Sequence, residues 1–315
     1  MPSVTTDLPA STNLSNGRPG QGRSFVLPLA WLLMLGAVAS FPACRTPGDD
    51  RTSADQAPPA AQAAGGEESP PAVRMAERLR VRVLRSLPHD RRAFTQGLLW
   101  HDGSLWESTG QYGRSQIRRL DPETGEVLHR VAVPREYFGE GLARVAGELY
   151  QLTWREGTAL VWSLPDLGLE RQLTYPWEGW GLCFDGRRLV FSDGSDRLRF
   201  LAPDDLRLLG EVRVTLDGAP LRYLNELECV GDRVWANVWT REELVRIDPE
   251  DGAVDRLVDA SGLLQPEERK GTDVLNGIAR HPERGTYFLT GKLWPKMFEV
   301  ELGELAEDEK RAAAR

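Results

Sequence analysis

Short runs of alternating apolar and polar residues, separated by turns rich in Gly, Asp and Pro, fill the chain from about residue 76 onward. Five stretches share one pattern of a short run, a turn and a second alternating run. They begin at residues 94, 138, 178, 224 and 275 and read FTQGLLWHDGSLWESTG, FGEGLARVAGELYQLTW, EGWGLCFDGRRLVFSDG, LNELECVGDRVWANVWT and LNGIARHPERGTYFLTG. Alternation with a period of two on both sides of a tight turn predicts a β-hairpin in each stretch.

The first four hairpins are each followed by a second pair of short runs, such as IRRLDPETGEVLHRVAV after the first and LVRIDPEDGAVDRLVDA after the fourth. Proline fixes φ at the first corner of a turn, so we interpret Asp121 and Asp248 of the Asp-Pro elements as turn residues. Each repeat therefore predicts four antiparallel strands. The repeat length of roughly 40 to 50 residues is typical of a propeller blade.

The last hairpin is followed by MFEVEL and lacks a fourth strand. The segment LRVRVLRSL at 79–87 alternates like a strand and has no other partner, so we expect it to complete the last blade and close the ring. An open ring would leave strand edges exposed, which favours aggregation. The sequence thus predicts an all-β, five-bladed propeller over residues 76–305. A β-sandwich is the main alternative, but it does not explain five aligned repeats.

The first 75 residues differ in kind from the repeats. Residues 25–43 carry no charge and precede Cys44, so residues 1–44 look like an export signal of the secretory or lipoprotein type. Lipidation of Cys44, simple signal cleavage and an uncleaved anchor all remain open, and each predicts a periplasmic or cell-envelope location. Residues 45–75 hold almost no large apolar side chain and are expected to form a disordered tether, and 306–315 a charged tail.

Composition narrows the classes of function. The net charge of −8 gives no indication of a nucleic-acid surface. The four His residues are scattered, with no pair at ligand spacing, so we predict no metal and no cofactor. Cys183 and Cys229 occupy similar places in two repeats; they could pair in an oxidising compartment, but we favour two buried free thiols.

Polar and aromatic residues recur where each first strand would reach one mouth of a propeller. They are Phe94 and Gln96, Phe138 and Glu140, Glu178 and Trp180, Asn225 and Glu226, and Asn276, with Trp154, Trp239 and Lys292 at the ends of second strands. A pure scaffold would place small or β-branched residues there. Polar groups that converge in an aromatic-walled pocket are the usual sign of a binding or catalytic site.

The motifs FTQGL, FGEGL with LTW, EGWGL, LNELE with NVW, and LNGIA with LTGK together resemble the glutamine cyclotransferase family, from about residue 80 to 302. The resemblance implies a five-bladed propeller that is metal-free and converts the N-terminal Gln of peptides or proteins to pyroglutamate. It also implies a pocket formed by Phe94, Gln96, Phe138, Glu140, Trp154, Trp180, Asn225, Trp239 and Lys292.

That reaction needs a group that takes a proton from the α-amine and gives one to the leaving amide nitrogen. We assign this shuttle to Glu140, and we assign stabilisation of the oxyanion to Lys292 and Asn225, with a further contribution from the Trp180 N–H. The aromatic residues and Gln96 would hold the substrate, and we expect a monomer. Two alternatives stay open: a peptide- or sugar-binding propeller without turnover, and a lactonase-type propeller with calcium on Glu140, Asn225 and Asn276.

Overall fold

The computed structural model describes residues 73–164 and 166–304, so the predicted export segment, almost all of the tether and the charged tail lie outside it. The described residues form strands and turns and contain no helix with the length and apolar character of a membrane span. The all-β prediction is therefore confirmed for this part of the chain.

The strands follow one another in groups along the chain. The first is β1 (Glu77–Pro88). The next sheet contains β2 (Thr95–His101), β3 (Ser104–Thr109), β4 (Gln116–Leu120) and β5 (Val127–Ala132). It is followed by a sheet of β6 (Gly139–Val145), β7 (Glu148–Thr153), β8 (Thr158–Ser163) and β9 (Leu169–Thr174).

The third sheet contains β10 (Leu182–Phe184), β11 (Leu189–Phe191), β12 (Arg197–Leu201) and β13 (Leu208–Arg213). A short hairpin of β14 (Thr215–Leu216) and β15 (Ala219–Pro220) leads to β16 (Leu224–Val230), β17 (Arg233–Val238), β18 (Glu243–Ile247) and β19 (Val254–Asp259). The chain then forms β20 (Leu275–Arg280), β21 (Tyr287–Gly291) and β22 (Lys296–Glu304).

The first strand of the chain joins the last group of strands. β1 pairs antiparallel with β22 and, over its first residues, parallel with β19. This links the last two groups into one sheet with the order β16-β17-β18-β19-β1-β22-β21-β20. The predicted pairing of segment 79–87 with the last repeat is confirmed, although the strand is longer than predicted.

The apolar core lies between neighbouring groups of strands. The first strand of each group contacts that of the next, in the cyclic order β2, β6, β10, β16, β20 and back to β2. Among the described residues, each cluster of buried apolar side chains combines residues of two adjacent groups, as when Leu99 and Trp106 pack with Leu142 and Leu149. The outer strands β5 and β9 are largely exposed. This arrangement directs the first strands toward a common axis.

Cys183 and Cys229 form a disulfide, so the preference for two free thiols was wrong. Cys183 lies on β10 and Cys229 on β16, and their Cα atoms are 5.5 Å apart. The two cysteines occupy similar places on the first strands of consecutive groups. Because these first strands contact each other, the two thiols lie close enough to form a bond. The separation of the two cysteines along the sequence does not by itself reveal that they lie close together.

The apolar residues of β1 should make this strand essential for stability. Leu79 and Leu87 are buried, at 3% and 5% exposure, and each packs into a different core cluster. Removing a buried leucine side chain typically costs about 2–5 kcal/mol. We therefore expect deletion of 77–88 to lower the thermal midpoint sharply, whereas deletion of 1–72 should barely change it. Equal midpoints for the two truncations would contradict this role of β1.

Candidate active site

Irregular pairing at the start of the first strands positions the polar residues of the site. The register shifts between Thr95 and Gly97 on β2, between Gly139 and Leu142 on β6, and between Leu224 and Leu227 on β16. The residues skipped by the ladder include Gln96, Glu140 and Asn225. A β-bulge turns side chains away from the regular alternation, and such bulges are frequent next to active sites.

Glycines beside these bulges allow the first strands to approach closely. A Cβ added to Gly141 would lie 2.5 Å from the backbone nitrogen of Leu182, and one on Gly181 would lie 1.9 Å from the carbonyl oxygen of Asn225. No side chain fits there without moving a backbone. This explains why a polar or aromatic residue is followed by Gly in the FTQGL, FGEGL and EGWGL motifs.

All nine residues that the sequence assigned to the site line one cavity of about 510 Å³. They are Phe94, Gln96, Phe138, Glu140, Trp154, Trp180, Asn225, Trp239 and Lys292. Glu178, which the sequence placed at the mouth, lines it as well, together with Arg155 and Asp273, which the sequence analysis missed. Arg155 follows the predicted Trp154, but charged loop residues are usually solvated and carry no distinguishing signal.

Glu140 lines this pocket with only 4% of its surface exposed. Its Oε1 accepts a hydrogen bond of 2.9 Å from Nε2 of Gln96. Burial raises the pKa of Glu140 well above the usual value, and the positive charge of Lys292 offsets only part of that effect. A carboxyl group with a raised pKa can both accept and donate a proton near neutral pH.

Lys292 reaches the pocket from a buried position, with 5% of its surface exposed. Its Nζ lies 5.1 Å from the centroid of the Phe94 ring. Burial lowers the pKa of Lys292, while the charges of Glu140 and Asp273 raise it in part. Backbone hydrogen bonds in both directions between Lys292 and the 273–274 segment fix the loop that carries it. The ammonium group is thus held near the acid in a partly dry site.

Asn225 and Gln96 play different parts in the geometry. Asn225 is 3% exposed, and its Oδ1 makes no hydrogen bond within the described residues. Gln96 is engaged at both ends, because its Nε2 donates to Glu140 and its Oε1 accepts from Asn276 at 3.2 Å. These contacts let Gln96 position Glu140, and its expected role in holding the substrate stays a prediction.

Aromatic rings form the walls of the pocket. Phe138 contacts Phe94 edge-on with centroids 6.0 Å apart and Trp154 at 5.6 Å, and Trp180 meets Trp239 edge-on at 5.8 Å. The indole N–H of Trp180 donates to Glu178 at 3.3 Å. This donor faces Glu178 here, and the expectation that it stabilises the oxyanion stays a prediction.

Two residues expected at the mouth lie elsewhere. Glu226 is buried and accepts backbone N–H groups of Leu98 and Ile278, at 3.1 and 2.9 Å. Asn276 donates to the carbonyl oxygen of Thr95 and to Gln96. Both tie first strands of different groups together and neither lines the pocket. Asp121 and Asp248 cap their turns by accepting backbone N–H groups, as predicted.

Within residues 73–164 and 166–304, no three His, Cys, Asp or Glu side chains are grouped in a way that would hold a metal ion.

Comparison with known proteins identifies the family of this chain. The family model described as glutamine cyclotransferase matches residues 57–302. The chain belongs to the glutamine cyclotransferase family. The glutaminyl-peptide cyclotransferase of Arabidopsis thaliana is 40% identical over 228 residues, which cover 70% of this chain and 71% of that protein. The crystal structure of Myxococcus xanthus glutaminyl cyclase aligns with a TM-score of 0.67 at 40% identity, covering 73% of this chain and 100% of that one.

Proposed function

We propose that this protein is a glutaminyl-peptide cyclotransferase, which converts an N-terminal Gln of a peptide or protein to pyroglutamate and releases ammonia. Family membership supports the reaction. The observation that carries the proposal is the buried carboxyl group of Glu140, whose pKa is raised, in an aromatic pocket that also holds Lys292.

Glu140 acts as the proton shuttle in this mechanism. The α-amino nitrogen of the substrate attacks the γ-amide carbon of its own side chain, and its solution pKa of roughly 7.7–8.0 leaves it largely protonated at neutral pH. The neutral fraction of the amine is the nucleophile, and the Glu140 carboxylate takes a proton from its nitrogen as the new C–N bond forms. The resulting carboxylic acid then protonates the amide nitrogen, the old C–N bond breaks, and ammonia leaves.

The tetrahedral intermediate carries a negative oxygen that needs donors held in place beforehand. The ammonium group of Lys292 and the side-chain NH2 of Asn225 are hydrogen-bond donors suited to this role, and both residues line the same cavity as Glu140. The aromatic walls hold the aliphatic part of the Gln side chain in a folded conformation. Alignment of the two reacting groups within one molecule supplies a large part of the rate.

The direct test is incubation of the protein with a Gln-initiated peptide, followed by mass spectrometry and an ammonia assay. Loss of one ammonia per peptide, with no reaction of the matching Ala-initiated peptide, is the expected result. Binding of the peptide without loss of ammonia would contradict the proposal. A parallel reaction in EDTA tests the calcium alternative, and we expect full activity there.

The pH profile tests the coupling between Glu140 and Lys292. kcat/KM should rise with pH as Glu140 loses its proton, and this limb should lie above the usual range of a glutamate because burial raises its pKa. The charge of Lys292 lowers that pKa, so Lys292→Met should move the acidic limb to higher pH as well as reduce turnover. Lys296→Met is the matched control, because Lys296 pairs with Glu268, and it should leave the limb in place. An unmoved limb in Lys292→Met would refute the coupling.

We also propose that the described strands form a five-bladed propeller. The cyclic contacts among β2, β6, β10, β16 and β20 support this count, and so does the placement of each core cluster between neighbouring groups. The last blade would consist of β20, β21, β22 and β1.

We further propose that the protein is exported from the cytoplasm and that it is a monomer. The disulfide between Cys183 and Cys229 supports an oxidising compartment, where such bonds persist. Anchoring through Cys44 stays a prediction from the sequence. Fractionation of cells that produce the wild type and Cys44→Ser tests both, because only a lipid-anchored protein would move to the soluble fraction on substitution.

A further inference from the structure

A second cavity, of about 240 Å³, is lined by four arginine side chains. They are Arg92, Arg114, Arg118 and Arg130, and Asp90 is the one carboxylate in the lining. We call it the arginine cavity. Four guanidinium groups around one carboxylate leave an excess of positive charge, in a chain whose net charge is −8.

Arg118 is the buried member of the arginine cavity, with 4% of its surface exposed. Its Nε donates to Gln116, but its Nη1 makes no hydrogen bond within the described residues. The nearest carboxylate oxygens to Nη1 are those of Asp90 at 3.3 Å and Glu107 at 3.7 Å. Both acids also contact other residues, since Asp90 pairs with Arg92 and Glu107 with His89, and Oε2 of Glu107 is itself without a hydrogen bond within the described residues. The two ion pairs compensate the charge of Arg118, and its Nη1 keeps the capacity to donate to a ligand oxygen in the cavity.

Arg114 and Arg130 add two charges that are not neutralised by the protein. Neither makes an ion pair or a side-chain hydrogen bond within the described part of the chain, whereas other surface arginines such as the exposed Arg171 and the half-buried Arg197 pair with Glu148 and Glu211. Guanidinium groups that converge on a cavity are the preferred partners of carboxylate and other oxyanions, because the planar fork matches two oxygens.

The arginine cavity lies close to the catalytic pocket along the chain. Arg92 is two residues before Phe94 of the pocket, and Arg114 is two residues after Tyr112, whose ring contacts Phe138 of the pocket at 5.4 Å. An extended chain spans at most about 3.3–3.6 Å per residue, so each of these two-residue steps covers no more than about 7 Å. A peptide whose first residue occupies the pocket can reach the arginine cavity within its next few residues.

We propose that the arginine cavity binds an acidic group of the peptide substrate, a side chain of Asp or Glu or a C-terminal carboxylate, a few residues after the N-terminal Gln. This inference rests on the proposed function and adds a preference among its substrates. The acidic group accepts hydrogen bonds from Arg118, Arg114 and Arg130, and it holds the peptide while the Gln side chain cyclises. The contact lies away from the reacting atoms, so it lowers KM and leaves kcat nearly unchanged.

The first arm of the experiment measures substrate preference at low ionic strength. Gln-initiated, C-terminally amidated pentapeptides carry Glu at position 2, 3, 4 or 5, and matched peptides carry Gln there. We expect the best acidic peptide to have a KM about 5- to 20-fold lower, the ratio that two solvent-exposed ion pairs provide. Equal KM values for every acidic and neutral pair would overturn the proposal.

The second arm assigns the preference to the cavity. The double variant Arg114→Gln/Arg130→Gln should bring the ratio of kcat/KM for acidic over neutral peptide close to one. Both residues are exposed and unpaired, so the thermal midpoint should stay unchanged. Arg222→Gln is the control: Arg222 is also exposed, and it precedes Tyr223, whose ring contacts Trp239 of the pocket. A ratio retained in the double variant, or lost equally in Arg222→Gln, would overturn the proposal.

The third arm separates this inference from the proposed function and from a site for free anions. An Ala-initiated acidic peptide, which cannot cyclise, should bind in calorimetry more tightly than its neutral match, and the double variant should abolish the difference. This difference in binding tests the arginine cavity independently of whether Gln-initiated peptides are turned over. Inorganic phosphate should raise KM for the acidic peptide only. Phosphate binding without any preference for acidic peptides would overturn the assignment to substrate.

Discussion

Glu140→Gln should lower turnover of a Gln-initiated peptide by about 10²–10⁴-fold, the usual contribution of general acid–base catalysis. The substitution preserves size, and the new side chain can still accept the hydrogen bond from Gln96. It cannot take a proton from the amine or return one to the leaving nitrogen. KM should change much less than kcat, because the lost interaction belongs to the transition state. Initial rates of ammonia release and the thermal midpoint, measured on one preparation, check this result.

Glu226→Gln provides the matched control for that substitution. Glu226 is another fully buried glutamate on a first strand, but both of its oxygens accept backbone N–H groups and it lies outside the pocket. In Glu226→Gln the new side-chain NH2 group faces one of these backbone N–H groups and cannot accept from it, which should cost about 1–3 kcal/mol of stability. Turnover per folded molecule should stay close to that of the wild type. A stable Glu140→Gln protein with near-normal turnover would end the assignment of the shuttle.

The strand pattern was predictable because it depends on local chemistry. Alternating apolar residues and Asp-Pro turns mark the hairpins, and Asp121 and Asp248 cap those turns as expected. The pairing of β1 with β22 was also predictable, because a strand-like segment without a partner must cover the one edge left open. The disulfide was not, since nothing local reports that β10 and β16 run side by side.

The site was predictable in membership and less so in detail. The nine pocket residues are polar or aromatic at positions of the repeats where a plain strand would have small or β-branched residues. These positions are equivalent from repeat to repeat, and the fold brings them together around one cavity. The bulges that aim Gln96, Glu140 and Asn225 inward depend on pairing register, which the sequence does not reveal. Hydrogen-bond partners depend on distances of a few ångströms, so the contacts of Gln96 with Asn276 and of the Trp180 N–H with Glu178 were not predicted.

Reduction of the disulfide between Cys183 and Cys229 should produce the second large effect, a loss of stability rather than of chemistry. The bond closes a loop with a sequence separation of 46 residues. In the chain-entropy description, a loop of this size corresponds to about 4 kcal/mol at 25 °C. For a domain of this size, that free energy lowers the thermal midpoint by about 8–16 °C. The bond joins β10 to β16 near the axis, so its loss weakens the contact between two neighbouring groups of strands.

The measurement compares thermal midpoints with and without a thiol reductant, in the wild type and in the double variant Cys183→Ser/Cys229→Ser. We expect the reductant to lower the midpoint of the wild type and to leave that of the double variant, already low, unchanged. Cys44→Ser controls for the third cysteine and should respond to the reductant like the wild type. Turnover per folded molecule should be preserved, because neither Cys183 nor Cys229 lines the pocket. A wild-type midpoint insensitive to complete reduction, verified by thiol labelling of the unfolded chain, would show that packing between the two groups is sufficient without the bond.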